Sequence, residues 1–182
     1  MRHVILCIPI IVICILCCGC VQNGGEKFDA EHYNQSIQAV RVFVENQSYE
    51  PDTPVFSEES GVTTLSGEYE TYSMDTSTNT IIFASYQGRE GIERAREGPH
   101  YEKALIAVQQ FLQYPGFEMN ATSFTFEGDR YEISGTGMTF RVNASSGEVT
   151  RALMTGQEAL QAMANSPAYQ KAINASGMNQ TG

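Results

Sequence analysis

Side chains that often carry out catalysis occur in this sequence, but their spacing does not support an active site. His32 and His100 each precede a tyrosine at the start of a helical pattern. Two histidines without a fixed carboxylate spacing are weak support for zinc, so we interpret each as a surface histidine beside a core tyrosine. No Gly-x-Ser-x-Gly elbow and no glycine-rich phosphate loop is present. We therefore expect no enzyme, no cofactor and no metal site.

Residues 89–97 alternate acidic and basic side chains at helical spacing. An acid–base pair is conceivable there, but a solvated helix with i,i+4 ion pairs is the simpler interpretation. The side chains concerned are Arg89, Glu90, Glu93, Arg94, Arg96 and Glu97.

The cysteines are confined to the first twenty residues. From Val21 onward the chain has no cysteine, so that part can form no disulfide, thiol nucleophile or cysteine metal site. The five cysteines are Cys7, Cys14, Cys17, Cys18 and Cys20.

The N-terminal segment has the features of a secretory signal peptide. A weakly basic start is followed by an apolar stretch over residues 4–16, and Gly19-Cys20 offers a small-residue cleavage site. Gly19-Cys20 resembles the lipobox of prokaryotic lipoproteins, although Cys17 stands where leucine is usual. We expect lipidation at Cys20. Two alternatives remain. One is an uncleaved helical anchor, because residues 4–21 are long enough to span a bilayer. The other is plain secretion.

Asparagine acceptor triplets give a second indication of export. Chance would give about 1.4 Asn-x-Ser/Thr triplets for this composition, and six are present. Such an excess fits an archaeal cell surface better than a bacterial one, whereas a polar surface without glycans is the alternative. The candidate glycosylation sites are Asn34, Asn46, Asn120, Asn143, Asn174 and Asn179.

The chain carries a net charge of -10 and has no cluster of Lys and Arg. Binding to a phosphate backbone needs basic patches. Nucleic acid is therefore excluded as a partner.

An internal repeat gives the clearest information about fold. Shifted by 68 positions without a gap, residues 32–91 align with the following segment at fourteen identities. Each unit begins with an amphipathic helix. Its apolar stripe is Tyr33, Ile37, Val40 and Val44 in the first unit, and Tyr101, Leu105, Val108 and Leu112 in the second. Gln109 is expected on the solvated face.

Short strands rich in aromatic and β-branched residues follow each helix. In the second unit we predict strands over residues 122–126, 130–134, 137–142 and 148–154. Gly147 and its counterpart Asn79 are expected to take positive φ in the last turn of each unit. Thr155 and Glu158 predict a capping box for the next helix. Pro167 is expected to open the last helix.

The last hairpin of the second unit resembles that of the PepSY domain family. Phe140-Arg-Val-Asn-Ala-Ser-Ser-Gly-Glu-Val149 is similar to that family's aromatic-x-Val-Asp-x-x-Thr-Gly-Glu-Val pattern, with Asn143 and Ser146 at the usual Asp and Thr positions. The resemblance implies a binding module that inhibits or modulates peptidases. It transfers no inhibitory residue, because the matching positions are structural.

The sequence thus predicts an α+β protein of two tandem PepSY-like repeats, each a helix packed on a small antiparallel sheet, with short C-terminal helices. The expected segments are a signal peptide (1–19), a lipidated tether (20–28), two repeats (29–97 and 98–165), and a C-terminal helix with a disordered tail (166–182). We expect a lipid-anchored module on the outer face of the cytoplasmic membrane, with a secreted or membrane peptidase as partner. An envelope structural or adhesion lipoprotein without such a partner is the alternative.

Overall fold

The computed structural model describes residues 29–52 and 55–176. The predicted signal peptide, the tether with Cys20, Asn179 and the C-terminal tail lie outside these residues. Among the described residues, no helix is both long enough and apolar enough to span a bilayer. The elements in chain order are α1 (Ala30–Val44), β1 (Val55–Glu59), β2 (Val62–Ser66), β3 (Glu70–Asp75), β4 (Thr80–Gln87), α2 (Gly88–Ala95), α3 (Pro99–Leu112), β5 (Ala121–Glu127), β6 (Arg130–Gly135), β7 (Met138–Asn143), β8 (Val149–Met154), α4 (Gln157–Asn165) and α5 (Pro167–Ser176).

The strands form one eight-stranded antiparallel sheet in which every strand pairs with its neighbour in sequence. The α+β class is confirmed. Two separate small sheets were expected, whereas β4 pairs with β5 over residues 83–87 and 123–127 and so makes the sheet continuous. We call α1 to α2 the first half and α3 to α4 the second half, since each contains a helix, four strands and a helix.

The helices α1 and α3 cover the same face of the sheet. From α1, Phe43 makes ring contacts with Tyr72 of β3 and Phe126 of β5. From α3, Tyr101 packs edge-on against Phe124 of β5. The apolar helix stripes predicted from sequence are confirmed, because all eight side chains are buried or pack against the core. The core therefore lies between one helical layer and one sheet face.

The opposite sheet face carries polar side chains that pair across neighbouring strands. Thr64 and Ser73 lie with their hydroxyl oxygens 3.1 Å apart. Sixty-eight positions later, Arg141 donates from Nε to Glu132 Oε2 at 2.6 Å. Such cross-strand pairs stabilise an uncovered antiparallel face.

The local signals at turns and caps were partly right. Asn79 and Gly147 have positive φ, as predicted, with values of 53° and 70°. The capping box at Thr155 was wrong: Gly156 is the N-cap and makes no side-chain cap bond, while the Thr155 hydroxyl lies 3.5 Å from the Gly137 carbonyl. Thr155 contacts the loop before β7 and does not cap α4, because the pairing of β7 with β8 brings Thr155 next to Gly137.

Gln109 was expected on the solvated face of its helix, and this prediction is wrong. It is half-buried, and its Nε2 donates to the Phe117 carbonyl at 2.9 Å. The loop after α3 folds back along the helix and covers this position, which helical periodicity alone does not reveal.

Candidate functional site

The candidate glycosylation sites differ in accessibility. Asn34, Asn120 and Asn174 are exposed, whereas Asn46 and Asn143 are half-buried. The side-chain oxygens of both half-buried residues accept backbone N–H bonds within their own turns.

The triplet at Asn34 lies inside α1. Its hydroxyl residue, Ser36, is buried, lies 2.8 Å from the Thr63 hydroxyl and donates to the His32 carbonyl at 2.8 Å. The hydroxyl of this triplet is thus engaged in the core. By contrast, both Asn120 and Thr122 of the Asn120 triplet are exposed.

The two repeated histidines have different surroundings. His32 Nδ1 lies 2.9 Å from Glu58 Oε2. His100 stacks on Phe43 with ring centroids 4.1 Å apart, and its Nε2 lies 3.0 Å from the Phe43 carbonyl. Burial lowers the pKa of His100. A neutral ring can then donate to Phe43 and accept at Nδ1 from the Tyr131 hydroxyl, 2.8 Å away. His100 therefore links α1 to the second half.

A buried carboxylate in the first half is surrounded by tyrosines. Glu70 is 3% exposed, and its Oε2 accepts from the hydroxyls of Tyr49 and Tyr72, the latter at 2.9 Å. Its Oε1 accepts from the Asp52 N–H at 2.8 Å and from Arg94 Nη1 at 3.3 Å. The Glu70 cluster, as we call it, consists of Tyr49, Glu70, Tyr72, Tyr86 and Arg94.

Burial sets the electrostatics of this cluster. It raises the pKa of Tyr49, Tyr72 and Tyr86 well above the usual value, and the charge of Glu70 adds to the effect on each. The three phenols therefore stay protonated and act as donors and acceptors among themselves, with Tyr72 bonded at 3.0 Å to both of the others. Arg94 was expected to pair along its own helix, yet it reaches into the core to Glu70 instead.

The second half has apolar residues where the first half has this cluster. At the shift of 68 positions, the counterparts of Tyr49, Glu70, Tyr72, Tyr86 and Arg94 are Phe117, Met138, Phe140, Met154 and Ala162. The fold therefore accommodates an apolar core at the same positions, and the cluster is particular to the first half.

A cleft of about 630 Å³ opens beside the start of α3. Its floor is apolar, from Tyr101, Leu105 and Met119, while the residues on its rim are exposed. We call this the α3 cleft; it is lined by Arg96, Tyr101, Glu102, Leu105, Glu118, Met119 and Asn120.

A smaller cleft of about 340 Å³ lies beside α1. Five of its seven lining residues correspond to α3-cleft residues at the shift of 68 positions. The α1 cleft, as we call it, is lined by Tyr33, Asn34, Ile37, Gln38, Arg41, Glu50 and Pro51. The same concavity therefore recurs in both halves.

Comparison with known proteins gives no relative: no family model, no curated protein and no solved structure matches this chain.

Sequence reasoning missed both the Glu70 cluster and the clefts. One signal was present: Glu70 occupies an inward position of a strand, alternating with Tyr72 and Met74, where the repeat places Met138. A charged residue aligned with an apolar core residue indicates a buried polar contact. The clefts had no comparable signal, because their residues come from a helix, from the loop that follows it and, in the α3 cleft, also from Arg96 before the helix.

Proposed function

We propose that this chain is a non-catalytic binding module, held on the outer face of the cytoplasmic membrane by a lipid at Cys20, and that it restrains an envelope peptidase. The observation that carries the proposal is the sheet edge at β8. In the part of the chain that the structure describes, β8 is hydrogen-bonded only to β7. An extended peptide can add to such an edge through main-chain hydrogen bonds.

The composition of β8 supports strand addition. The four side chains from Thr150 to Leu153 are exposed, and Leu153 is 49% exposed. Natural edge strands usually avoid pairing by means of proline, inward charges or bulges. β8 contains no proline and one charged residue, Arg151, and its one irregularity is a register shift against β7 between Arg141 and Val142.

We also propose that residues 29–97 and 98–165 are two tandem PepSY-like repeats. The support for this proposal is the recurrence of helix, four strands and helix at a shift of 68 positions, with β3 and β7 beginning and ending at corresponding residues. The PepSY resemblance of the β7–β8 hairpin suggests a peptidase as the partner and β8 as the contact.

The test is capture of membrane partners from the source cells with the full-length protein, followed by a peptidase assay of the captured fraction. We expect a peptidase whose activity falls when the protein is added. Leu153→Lys should weaken both effects, because an added edge charge opposes strand pairing. Val42→Lys is the matched control, since Val42 is exposed on α1 and belongs to no strand.

Capture of envelope components without peptidase activity would overturn the peptidase proposal and favour the adhesion alternative. Equal effects of the two lysine variants would show that β8 is not the contact. Mass spectrometry of the mature N-terminus tests the anchor independently: a modified Cys20 is expected, and an intact Met1 would contradict it.

A further inference from the structure

One of the residues that line the α3 cleft carries a buried hydroxyl without a hydrogen-bond partner in the part of the chain that the structure describes. Tyr101 lines the cleft and is 3% exposed. Among the described residues its hydroxyl has no hydrogen-bond partner. A buried hydroxyl without a partner is costly, so natural proteins nearly always satisfy one. A ligand that offers a polar atom at this point would recover that interaction.

The charged groups around the cleft have no ion-pair partner among the described residues either. Arg96 lies over the Tyr101 ring, with its guanidinium carbon 5.4 Å from the ring centroid. Within residues 29–52 and 55–176, neither Arg96 nor the two carboxylates of the rim, Glu102 and Glu118, takes part in an ion pair. The cleft thus presents two negative groups and one positive group to whatever enters it.

These features together define the chemistry of a ligand. The two carboxylates would bind a cationic head, and the apolar floor of Leu105 and Met119 would pack against a methylene stem. Arg96 and the Tyr101 hydroxyl are donors and would bind an acceptor such as a carbonyl. We propose that the α3 cleft binds a lysine or arginine residue of an extended peptide segment, with its cationic head at Glu102 and Glu118 and its backbone carbonyl facing Arg96 and Tyr101.

The α1 cleft of the first half is less suited to a basic residue than the α3 cleft of the second half. It keeps Glu50 at the position of Glu118, but Asn34 replaces Glu102 and leaves a single carboxylate. Arg41, which also lines it, donates from Nε to the Tyr49 carbonyl at 3.0 Å. The α1 cleft is also smaller, so it serves as an internal comparison with similar architecture.

This inference does not depend on a peptidase partner or on the β8 edge, since no residue of β8 lines the α3 cleft. Either proposal can fail while the other stands.

The test is an NMR titration of the full-length, ¹⁵N-labelled protein in detergent with N-acetyl-lysine N-methylamide. We expect amide shifts in residues 101–105 and 118–120 that saturate and weaken with added salt. Glu118→Gln should reduce the affinity about tenfold, the loss that goes with one charge-assisted hydrogen bond. Glu50→Gln, the equivalent change in the α1 cleft, should leave the titration unchanged.

Tyr101→Phe separates binding from folding. It should also weaken the titration, yet its thermal midpoint should equal or exceed that of the unaltered protein, because the change removes only an unsatisfied hydroxyl. A lower midpoint would show that the hydroxyl has a structural partner and would overturn its assigned role.

Three other results would overturn the proposal. Absence of saturable shifts would exclude a basic-residue site. Equal shifts with N-acetyl-glutamate N-methylamide would remove the selectivity for a cation. Equal or tighter binding of free lysine would identify an amino-acid site and exclude the peptide source.

Discussion

At the scale of single residues, Glu70 is a buried side chain held by four hydrogen bonds. Its two oxygens accept from two phenols, one backbone N–H and one guanidinium. A buried charge is tolerated only when its hydrogen-bonding capacity is filled, as it is here. Removing the carboxylate alone takes the shared acceptor away from the buried Tyr49 and Tyr72 hydroxyls and from the half-buried Arg94.

We predict that Glu70→Ala lowers the free energy of unfolding by about 3–5 kcal/mol, the cost of breaking a buried charged network at one member. A variant with the second half's residues at all five cluster positions should lose less, because an apolar core of matching shape avoids the unpaired groups. Urea unfolding of both variants is the measurement, and a fivefold variant less stable than Glu70→Ala would contradict the argument. That variant carries Tyr49→Phe, Glu70→Met, Tyr72→Phe, Tyr86→Met and Arg94→Ala.

The same cluster predicts sensitivity to alkali. The pKa values of Tyr49, Tyr72 and Tyr86 are raised in the folded state above the ordinary value of 10.0. Their contribution to stability is therefore fully present below about pH 10 and is lost as the pH rises further, since the unfolded chain releases these protons first. Phenolate absorbance should show fewer than the nine tyrosines ionising before circular dichroism reports unfolding. Reversible ionisation of all nine in the folded protein would contradict the prediction, and the urea-unfolded chain is the control.

Residue-level contacts were the least predictable part of this molecule. The inward position of Glu70 follows from strand alternation. Tyr49, however, comes from the loop after α1, and Arg94 comes from α2. Their meeting depends on tertiary packing that no local pattern encodes. The same reason hid the α3 cleft, whose Glu118 and Tyr101 are brought together by the return of the chain after α3.

At the scale of elements, helical periodicity was the most reliable signal. Val108 is 0% exposed on α3, as the predicted stripe required. We expect Val108→Asp to destabilise the protein by several kcal/mol, because its carboxylate would be buried without a partner. Ile106→Asp is the matched control on the same helix: Ile106 is 43% exposed, so its loss should be at most about 1 kcal/mol. Chemical denaturation measures both, and equal losses would contradict the packing of α3.

The strands of the second half were also predictable, to within one residue at each end. Alternation of Met138, Phe140 and Val142 with polar residues is strong because one face of β7 is fully buried. Sequence did not predict how the two sets of strands would join. The pairing of β4 with β5 depends on α2 and α3, which return the chain to the same sheet edge.

At the scale of the whole molecule, the continuous sheet predicts one cooperative unfolding transition for both halves. Phe124 of β5 is fully buried and stacks on Tyr86 of β4 at 5.9 Å, so it belongs to the core of both halves. Phe124→Ala should cost about 3–5 kcal/mol and should shift a single transition. Circular dichroism and tyrosine fluorescence should coincide during urea unfolding. Two separate transitions, with only one shifted by the substitution, would show that the halves fold independently.

The sequential order of the strands has a consequence for how such a chain could fold during translocation. Every strand pairs with the one just before it, so no strand has to wait for a partner from much later in the chain. A polypeptide that leaves a membrane pore N-terminus first, as the proposed export requires, could add each strand to a growing edge as it emerges. Mostly local pairing also favours rapid folding. The last strand added would be β8, which leaves the proposed peptide-binding edge as the final part of the sheet to form.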